Sequence, residues 1–268
     1  MRTSDKPRET EMALVIRSPR AEQIADEIAR LETLGRYRLT APRWHRLRDV
    51  YFDTPDGTLT ARRLALRIRA VAGKQFVTLK ESLGHEARGT HARTEIELTW
   101  SRAAFTRIAR ELRARGIALK KVDAVYQRDD PVKTLRRAGL RVIQDRLTQR
   151  RARNVLGTGR RVRAELAIDT TTFFFGKQVV HLYEVEIEAK SAHVRVSAMA
   201  QRLEKMFAPA LQRWFSKLAT GKIIQTLLQQ GILQKLLDEQ NHLTPAALDR
   251  IEQEWRGASL RRHRCPQT

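Results

Sequence analysis

The chain has 268 residues and is strongly basic, with 52 Lys and Arg against 30 Asp and Glu, a net charge of +22. This length suffices for one large domain, or for one domain with an appendage. The sequence contains no run of 18 apolar residues and no apolar leader at its N-terminus, so we expect a cytoplasmic protein without a membrane span. The single cysteine, Cys265, excludes an internal disulfide. The positive charge would attract nucleic acid, polyphosphate and anionic membranes alike, so charge alone does not identify the ligand.

The hydrophobic pattern predicts strands interleaved with helices, followed by a purely helical C-terminal piece. The predicted helices cover about residues 19–34, 102–115 and 194–211, and another helix begins at Thr244 and Pro245. Residues 170–176 are expected to form a turn. We expect an arm at 1–8, a main domain at 9–220, and a helical extension at 221–268 that covers the sheet or forms a homodimer. The predicted strands cover about residues 11–16, 46–52, 64–70, 75–80, 93–99, 132–137, 140–153, 161–169 and 179–189.

Several of these strands alternate charged and apolar residues with a period of two. A strand places successive side chains on opposite faces, so each such segment collects its charges on one side. Rows of acids and rows of bases indicate one enclosed polar lumen that holds metal ions beside a polyanion. The segments begin at Glu9, Arg67, Arg93, Arg161 and Glu184, and they repeat Glu-x-Glu three times and Arg-x-Arg twice.

Ordered motifs along residues 9 to 220 resemble those of the CYTH family of triphosphate tunnel metalloenzymes. The central block is Tyr51-Phe-Asp-Thr-Pro-Asp-Gly57, then Arg67-Ile-Arg69 and Thr78-Leu-Lys80. The resemblance implies an α+β fold, in which an eight-stranded antiparallel barrel forms a tunnel and helices pack on its outside. It also implies triphosphate-type substrates. The later blocks are Arg93-Thr-Glu-Ile-Glu97, Glu165-Leu-Ala-Ile-Asp169, Tyr183-Glu-Val-Glu-Ile-Glu188 and Ser216-Lys217.

Because the motifs from Tyr51 to Lys80 resemble the central block of the family, we expect the cations of these strands to be the catalytic and substrate-binding groups. Arg67 and Arg69 on one strand and Lys80 on its hairpin partner could meet the phosphates from one wall, since arginine forks suit phosphate oxygens. A solvated, salt-bridged sheet face is the alternative. Lys217 resembles a further phosphate ligand, but it could equally be a surface lysine. The resemblance adds Arg93, Arg146 and Arg163 as substrate-binding residues.

The acidic rows need cations to neutralise them, because enclosed glutamates repel one another. Oxygen ligands favour hard divalent ions, so we expect Mg²⁺ or Mn²⁺. By resemblance, Asp169, Glu184 and Glu186 would hold a first ion, and Glu9 and Glu11 would help to hold a second. The alternative is internal pairing of these acids with the arginines at 93, 161 and 163.

One position departs from the family pattern. The family opens with Glu-x-Glu-x-Lys, whereas here Ala13 occupies the lysine position, and Arg17 lies four residues further on. Losing an inward ammonium corresponds to about ten- to a hundredfold in rate.

Two functional hypotheses therefore remain. The first is a metal-dependent hydrolase of triphosphate or polyphosphate. The second is an attenuated or non-catalytic binder of polyphosphate or RNA, with nonspecific nucleic-acid contacts on the basic surface. An adenylate cyclase is a third reading, although nothing in the sequence selects for adenine.

Overall fold

The computed structural model describes residues 8–86, 90–191 and 194–264, with side chains from 10–81, 95–121, 123–191 and 194–257. In this part of the chain, eleven strands belong to one large sheet, accompanied by eight α-helices, which confirms the α+β prediction. The chain divides into two compact units, residues 1–11 with 43–150 and residues 12–42 with 151–268. Closure of the strands into an eight-stranded barrel stays a prediction, as do the domain boundaries. Residues 1–7 of the predicted arm and Cys265 lie outside the described residues.

The elements follow one another along the chain as strands with interspersed helices. The strands are β1 (Arg8–Ile16), β2 (Thr33–Leu34), β3 (Tyr37–Leu39), β4 (Arg43–Asp53), β5 (Leu64–Val71), β6 (Lys74–Glu86), β7 (Thr90–Thr99), β8 (Arg141–Leu156), β9 (Val162–Phe175), β10 (Gln178–Ala189) and β11 (Leu211–Trp214). The helices are α1 (Ala21–Arg30), α2 (Thr58–Ala61), α3 (Arg102–Arg113), α4 (Val122–Val125), α5 (Pro131–Arg137), α6 (Val196–Met206), α7 (Lys217–Gln229) and α8 (Pro245–Arg264).

The helix predicted at 19–34 ends at Arg30, and Thr33–Leu34 form strand β2 instead. Two further predicted elements have the wrong type. Residues 132–137 form helix α5 rather than a strand, because the Asp130 side chain accepts a hydrogen bond from the Lys133 backbone N–H at 2.8 Å and Pro131 occupies the first turn. Residues 170–175 continue strand β9 instead of turning. The turn follows at Gly176, where φ is +64°, a conformation that glycine adopts without steric cost.

In the first unit, β4, β5, β6 and β7 pair in sequence order as antiparallel neighbours. Alternate residues such as Phe52, Leu66 and Leu79 pack against Phe105 and Ile108 of α3 in one hydrophobic core. The intervening residues therefore project from the opposite face of the strands. That second face carries the polar side chains Asp49, Tyr51, Arg67, Arg69, Thr78 and Lys80.

In the second unit, β9 and β10 form a long antiparallel pair in which Asp169 lies opposite Glu184. The last residues of β1 contribute Met12 and Leu14 to a core shared with α1 and α6. Strand β11 pairs with this end of β1, and Ala13 lies opposite Trp214. This pairing places the start of α7 three residues beyond Trp214.

The C-terminal helices share a core with the sheet of the second unit. Ile224 and Leu227 of α7 and Leu248 and Ile251 of α8 are buried together with Phe173, on β9. Helix α7 begins at Lys217, so it overlaps the expected boundary at 221. His242 forms an isolated β-bridge with His181 of β10, so residues 236–243 are not purely helical. The predicted homodimer stays a prediction. Within the described helices, none combines the length and apolar character needed to cross a membrane.

Candidate active site

A cluster of arginines lies on the polar face of the first unit. Cross-strand register assembles it, because Arg69 on β5 lies opposite Asp49 on β4, and Arg67 lies between Tyr51 on β4 and Thr78 on β6. Arg146 joins from β8, which neighbours β4 in the sheet. Cross-strand partners lie within reach of one another, so a set of residues distant in sequence converges at one place. We call Asp49, Tyr51, Arg67, Arg69 and Arg146 the arginine cluster.

Asp49 holds the arginine cluster together. Its carboxylate is buried and accepts two hydrogen bonds from Arg69, at 2.8 Å from Nε and 2.9 Å from Nη2. Nitrogens of Arg67 and Arg146 lie 3.7 and 3.5 Å from the same carboxylate. Burial would raise the pKa of Asp49, but the positive charges, that of Arg67 first, outweigh it and hold the pKa far below the ordinary range. Asp49 is therefore ionised and neutralises only part of the surrounding charge.

Tyr51 contributes a second anchoring contact. Its hydroxyl accepts a 2.7 Å hydrogen bond from Arg146, whose guanidinium also lies 4.7 Å from the Tyr51 ring centroid. Burial would raise the pKa of Tyr51, but the charges of Arg146 and Arg67 outweigh it, and the pKa lies below its ordinary value. The cluster thus keeps an excess of positive charge even after its own anions are counted.

Arg67 is a buried member of the cluster with few hydrogen bonds. It is 5% exposed, and its single hydrogen bond to a described residue is the 3.4 Å contact from Nη1 to the Tyr51 hydroxyl. Its carboxylate neighbours lie at 3.6–3.7 Å, and Nε has no hydrogen-bond partner in the described part of the chain. Burial would lower the pKa of Arg67, but Asp49 and its other anionic neighbours raise it above the ordinary value. A buried guanidinium with unused donors suits an anionic ligand.

Lys80 lies next to this cluster on β6. Its ammonium contacts Glu95 on β7 at 2.8 Å, and the same glutamate lies 3.6 Å from Arg67. Glu97 accepts a 2.9 Å hydrogen bond from Thr78. Two carboxylates of β7, those of Glu95 and Glu97, therefore lie close to the cations of the polar face. The alternative prediction of a salt-bridged sheet face holds in part. A ligand here would compete with Glu95 for Lys80.

The second unit carries a cluster of opposite character. Asp169, Glu184 and Glu186 converge on the ammonium of Lys217, at 2.5, 3.4 and 2.8 Å from its Nζ. Asp169 and Glu184 are fully buried, and Lys217 is 7% exposed. Ser216 caps α7 by accepting a hydrogen bond from the Ala219 backbone N–H, which fixes Lys217 in the first turn. We call these four residues the carboxylate cluster.

The carboxylate cluster fits a cation, and a lysine ammonium stands at that position. Three carboxylates aimed at one point supply the oxygen ligands that Mg²⁺ and Mn²⁺ prefer. With the ammonium between them, no group of three or more His, Cys, Asp or Glu residues in the described part of the chain is arranged to hold a metal ion. Binding a divalent ion here therefore requires the Lys217 ammonium to leave the carboxylates.

Other predicted site residues lie apart from these clusters or outside the description. Arg163 projects over Gly157, where an added Cβ would meet its Nε at 2.9 Å. It lies six residues from Asp169 on the same face of β9, about 20 Å along the strand. Glu11 is half-buried at the end of the first unit. The side chains of Glu9 and Arg93 lie outside the described residues.

The missing lysine of the family pattern has no replacement in Arg17. Ala13 is 7% exposed, on the face of β1 opposite Met12 and Leu14. Arg17 donates a 3.1 Å hydrogen bond to Gln212 and contacts Asp249 of α8. It is therefore engaged with β11 and the C-terminal helix.

Sequence reasoning assigned no role in the site to Asp49 or Tyr51, and it placed Glu95 only in an acidic row of the lumen. Asp49, Tyr51 and Asp53 are alternate residues of β4. This alternation could have predicted that their side chains share one face of the strand. Their arginine partners could not be identified from that signal, because Arg146 lies 97 residues from Asp49.

Comparison with known proteins places the chain in a family. A search of curated proteins yields no match. Among solved structures, HpAC1 from Hippeastrum, described as a candidate adenylyl cyclase with a dominant triphosphatase activity, has a TM-score of 0.50 at 19% identity, covering 80% of this chain and 95% of its own. A candidate adenylate cyclase from Bacillus halodurans has a TM-score of 0.47 at 20% identity, with 78% and 96% covered. The Pct1 RNA triphosphatase of S. pombe has a TM-score of 0.36 at 10% identity, with 84% and 82% covered. The CYTH domain model matches residues 14–213, so the chain belongs to the CYTH domain family.

Proposed function

We propose that this CYTH protein is a metal-dependent hydrolase of triphosphate-type phosphoanhydrides, most simply inorganic triphosphate. The observation that carries the proposal is Arg67, a buried guanidinium with an unused Nε donor beside Arg69, Arg146 and Lys80. An excess of cations at one buried place is costly unless an anion completes it. The triphosphatase activity described for the Hippeastrum protein agrees with this substrate class.

The arginine cluster would bind and orient the phosphates. A triphosphate carries about four negative charges, and guanidinium groups donate two parallel hydrogen bonds to phosphate oxygens. Arg67 and Arg69 are pre-oriented by Asp49, and Lys80 adds a compact charge once it leaves Glu95. Phosphoryl transfer depends mainly on positioning and charge neutralisation, so no nucleophilic side chain is needed. These three cations are the catalytic groups of the proposal.

Asp169, Glu184 and Glu186 would hold the divalent ion, and Glu9 with Glu11 would help to hold a second. When bound there, Mg²⁺ or Mn²⁺ would supply charge neutralisation for the phosphate oxygens and polarisation of a water molecule. In its absence Lys217 neutralises the three carboxylates. Once released from them, Lys217 would be available to a phosphate oxygen, as expected from the resemblance, and Arg93 would add a further contact. Arg163, about 20 Å from Asp169 along β9, would not share that phosphate. The eight-stranded tunnel is part of this proposal, and an experimental structure with tripolyphosphate would test it.

Phosphate release from tripolyphosphate with Mg²⁺ or Mn²⁺ tests the proposal. We expect Arg67→Gln to lower turnover about ten- to a hundredfold, since it removes one or more charge-assisted contacts. Arg48→Gln is the matched control, because Arg48 is exposed and pairs with Asp145. A folded wild type without turnover of tripolyphosphate, nucleoside or thiamine triphosphate would overturn the proposal. Equal turnover in the two variants would remove Arg67 from the site.

A second candidate function is polyanion binding without hydrolysis. Ala13 favours it, because this buried position offers no charge to a phosphate. In that case tripolyphosphate would raise the melting temperature of the wild type, and the Arg67→Gln variant would lose this effect, with no phosphate released from either protein. Release of phosphate that requires the metal would decide for the hydrolase.

A further inference from the structure

The start of strand β4 is open to solvent on both of its faces. Its first four residues, 43–46, are all exposed, whereas Leu47, Asp49 and the residues beyond are largely buried. Trp44 is 67% exposed, the largest exposure among the exposed large hydrophobic side chains of the described residues. A tryptophan this accessible is unlike Val50 and Phe52 on the same face of β4, which are part of the hydrophobic core. Most of the Trp44 side chain is therefore accessible to a ligand.

The residues around Trp44 are basic. Arg43, His45 and Arg46 flank it, and all three are exposed. Trp44 and Arg46 share one face of the strand, about 7 Å apart along it. Arg46 makes no ion pair with any described residue, whereas Arg48, the next on that face, is held by two hydrogen bonds from its guanidinium to Asp145. The patch thus keeps positive charge beside the indole ring.

Trp44 and Arg46 also line an open depression with residues of the neighbouring strand β8. The depression has a volume of about 400 Å³, and Leu147, Gln149 and His45 complete its lining. That volume lies in the range of sites for small flat ligands. Leu147 offers an apolar surface, and the Gln149 amide offers both a donor and an acceptor for the polar edge of a ring. We call Trp44, Arg46, Leu147 and Gln149 the Trp44 patch.

We propose that the Trp44 patch is a binding site for single-stranded nucleic acid, with a base stacked on Trp44 and a phosphate on Arg46. Single-strand binding surfaces combine a base-stacking aromatic with cations along the backbone. Polyphosphate would use the cations but gain nothing from the indole. An apolar protein partner would use the indole but not an unpaired arginine. The patch lies on the face of β4 opposite Asp49 and Tyr51, so this site is separate from the proposed active site.

The test compares a labelled 12-nucleotide poly-uridine RNA, the matching DNA, and an abasic oligomer of equal length, by fluorescence anisotropy on the full chain. We expect Trp44→Ala to weaken binding of both nucleic acids at least about fivefold, because each stacked base contributes substantially, and to leave abasic binding unchanged. Arg46→Gln should weaken all three and reduce the slope of log affinity against log salt by about one. Tripolyphosphate hydrolysis should be the same in Trp44→Ala as in the wild type.

Phe174→Ala is the matched control, because Phe174 is an exposed aromatic on β9, 37% exposed, in the other unit. It should bind all probes like the wild type. Equal losses for the abasic oligomer and the RNA in Trp44→Ala would overturn the stacking role. No measurable RNA binding by the wild type would overturn the site, whether or not the protein hydrolyses tripolyphosphate. A Trp44→Ala variant that changes oligomeric state but not RNA affinity would identify the patch as a protein interface instead.

Discussion

Replacing Asp49 by asparagine tests whether one buried carboxylate organises the arginine cluster. The variant keeps the shape of the side chain but removes its charge and one of its acceptor oxygens. Arg69 then loses one of its two hydrogen bonds, and Arg67 and Arg146 lose a buried counter-charge. Breaking a buried ion pair by removing one partner costs about 3–5 kcal/mol. For a protein of this size that corresponds to a fall in melting temperature of roughly 6–20 °C.

Asp145→Asn is the matched control for this experiment. Asp145 also accepts two hydrogen bonds from an arginine, but the Arg48 side chain of that pair is 58% exposed. Exposed pairs contribute about 0–1 kcal/mol, so this variant should lose at most a few degrees. Chemical denaturation of the wild type and both variants gives the two free energies of unfolding directly. Equal destabilisation of the two variants would refute the reasoning.

Two further readouts separate a lost charge from a merely misfitted side chain. The lowered pKa of Asp49 means that its stabilisation is complete above its ordinary pKa of 3.8 and is lost as the pH falls below that value. The wild type should therefore lose stability in acid more steeply than Asp49→Asn. Tripolyphosphate should also raise the melting temperature of Asp49→Asn more than that of the wild type, because the anion replaces the missing charge. A smaller shift in the variant would contradict the proposed binding role.

The remaining predictions concern the second unit. Lys217→Met leaves three carboxylates without their ammonium, so we expect the variant to be less stable than the wild type. Mn²⁺ or Mg²⁺ should raise the melting temperature of the variant more than that of the wild type, and equal shifts would contradict this. Ala13→Lys should increase tripolyphosphate turnover about ten- to a hundredfold, whereas Ala13→Met, of similar length without charge, should not. Burial and His242 lower the pKa of His181, so the unfolded chain binds the proton more readily, and stability should fall as the pH drops below the ordinary value of 6.5. His181→Asn should flatten this part of the stability profile; an unchanged profile would assign it to another group.

The period-two alternation of the strands was sufficient to predict which residues share a face. It correctly placed Arg67 and Arg69 on the polar face of β5, and Glu184 and Glu186 on one face of β10. The strand predicted at 132–137 was wrong, because a local signal, Asp130 followed by Pro131, starts a helix whatever the β propensity of the following residues. A helix-starting signal at the N-terminal end thus decides the structure of this short segment.

Sequence by itself determined the family, the strand faces and the kinds of charge at the site, because these depend on side-chain order along each strand. Tertiary structure alone decided which charges meet. Arg146 reaches Asp49 across 97 residues, and Lys217 reaches Asp169 across 48, since strand pairing and the start of α7 bring them together. Neither the alternation along a strand nor a sequence motif predicts which distant residues meet, because the register between strands is set by core packing on the opposite face.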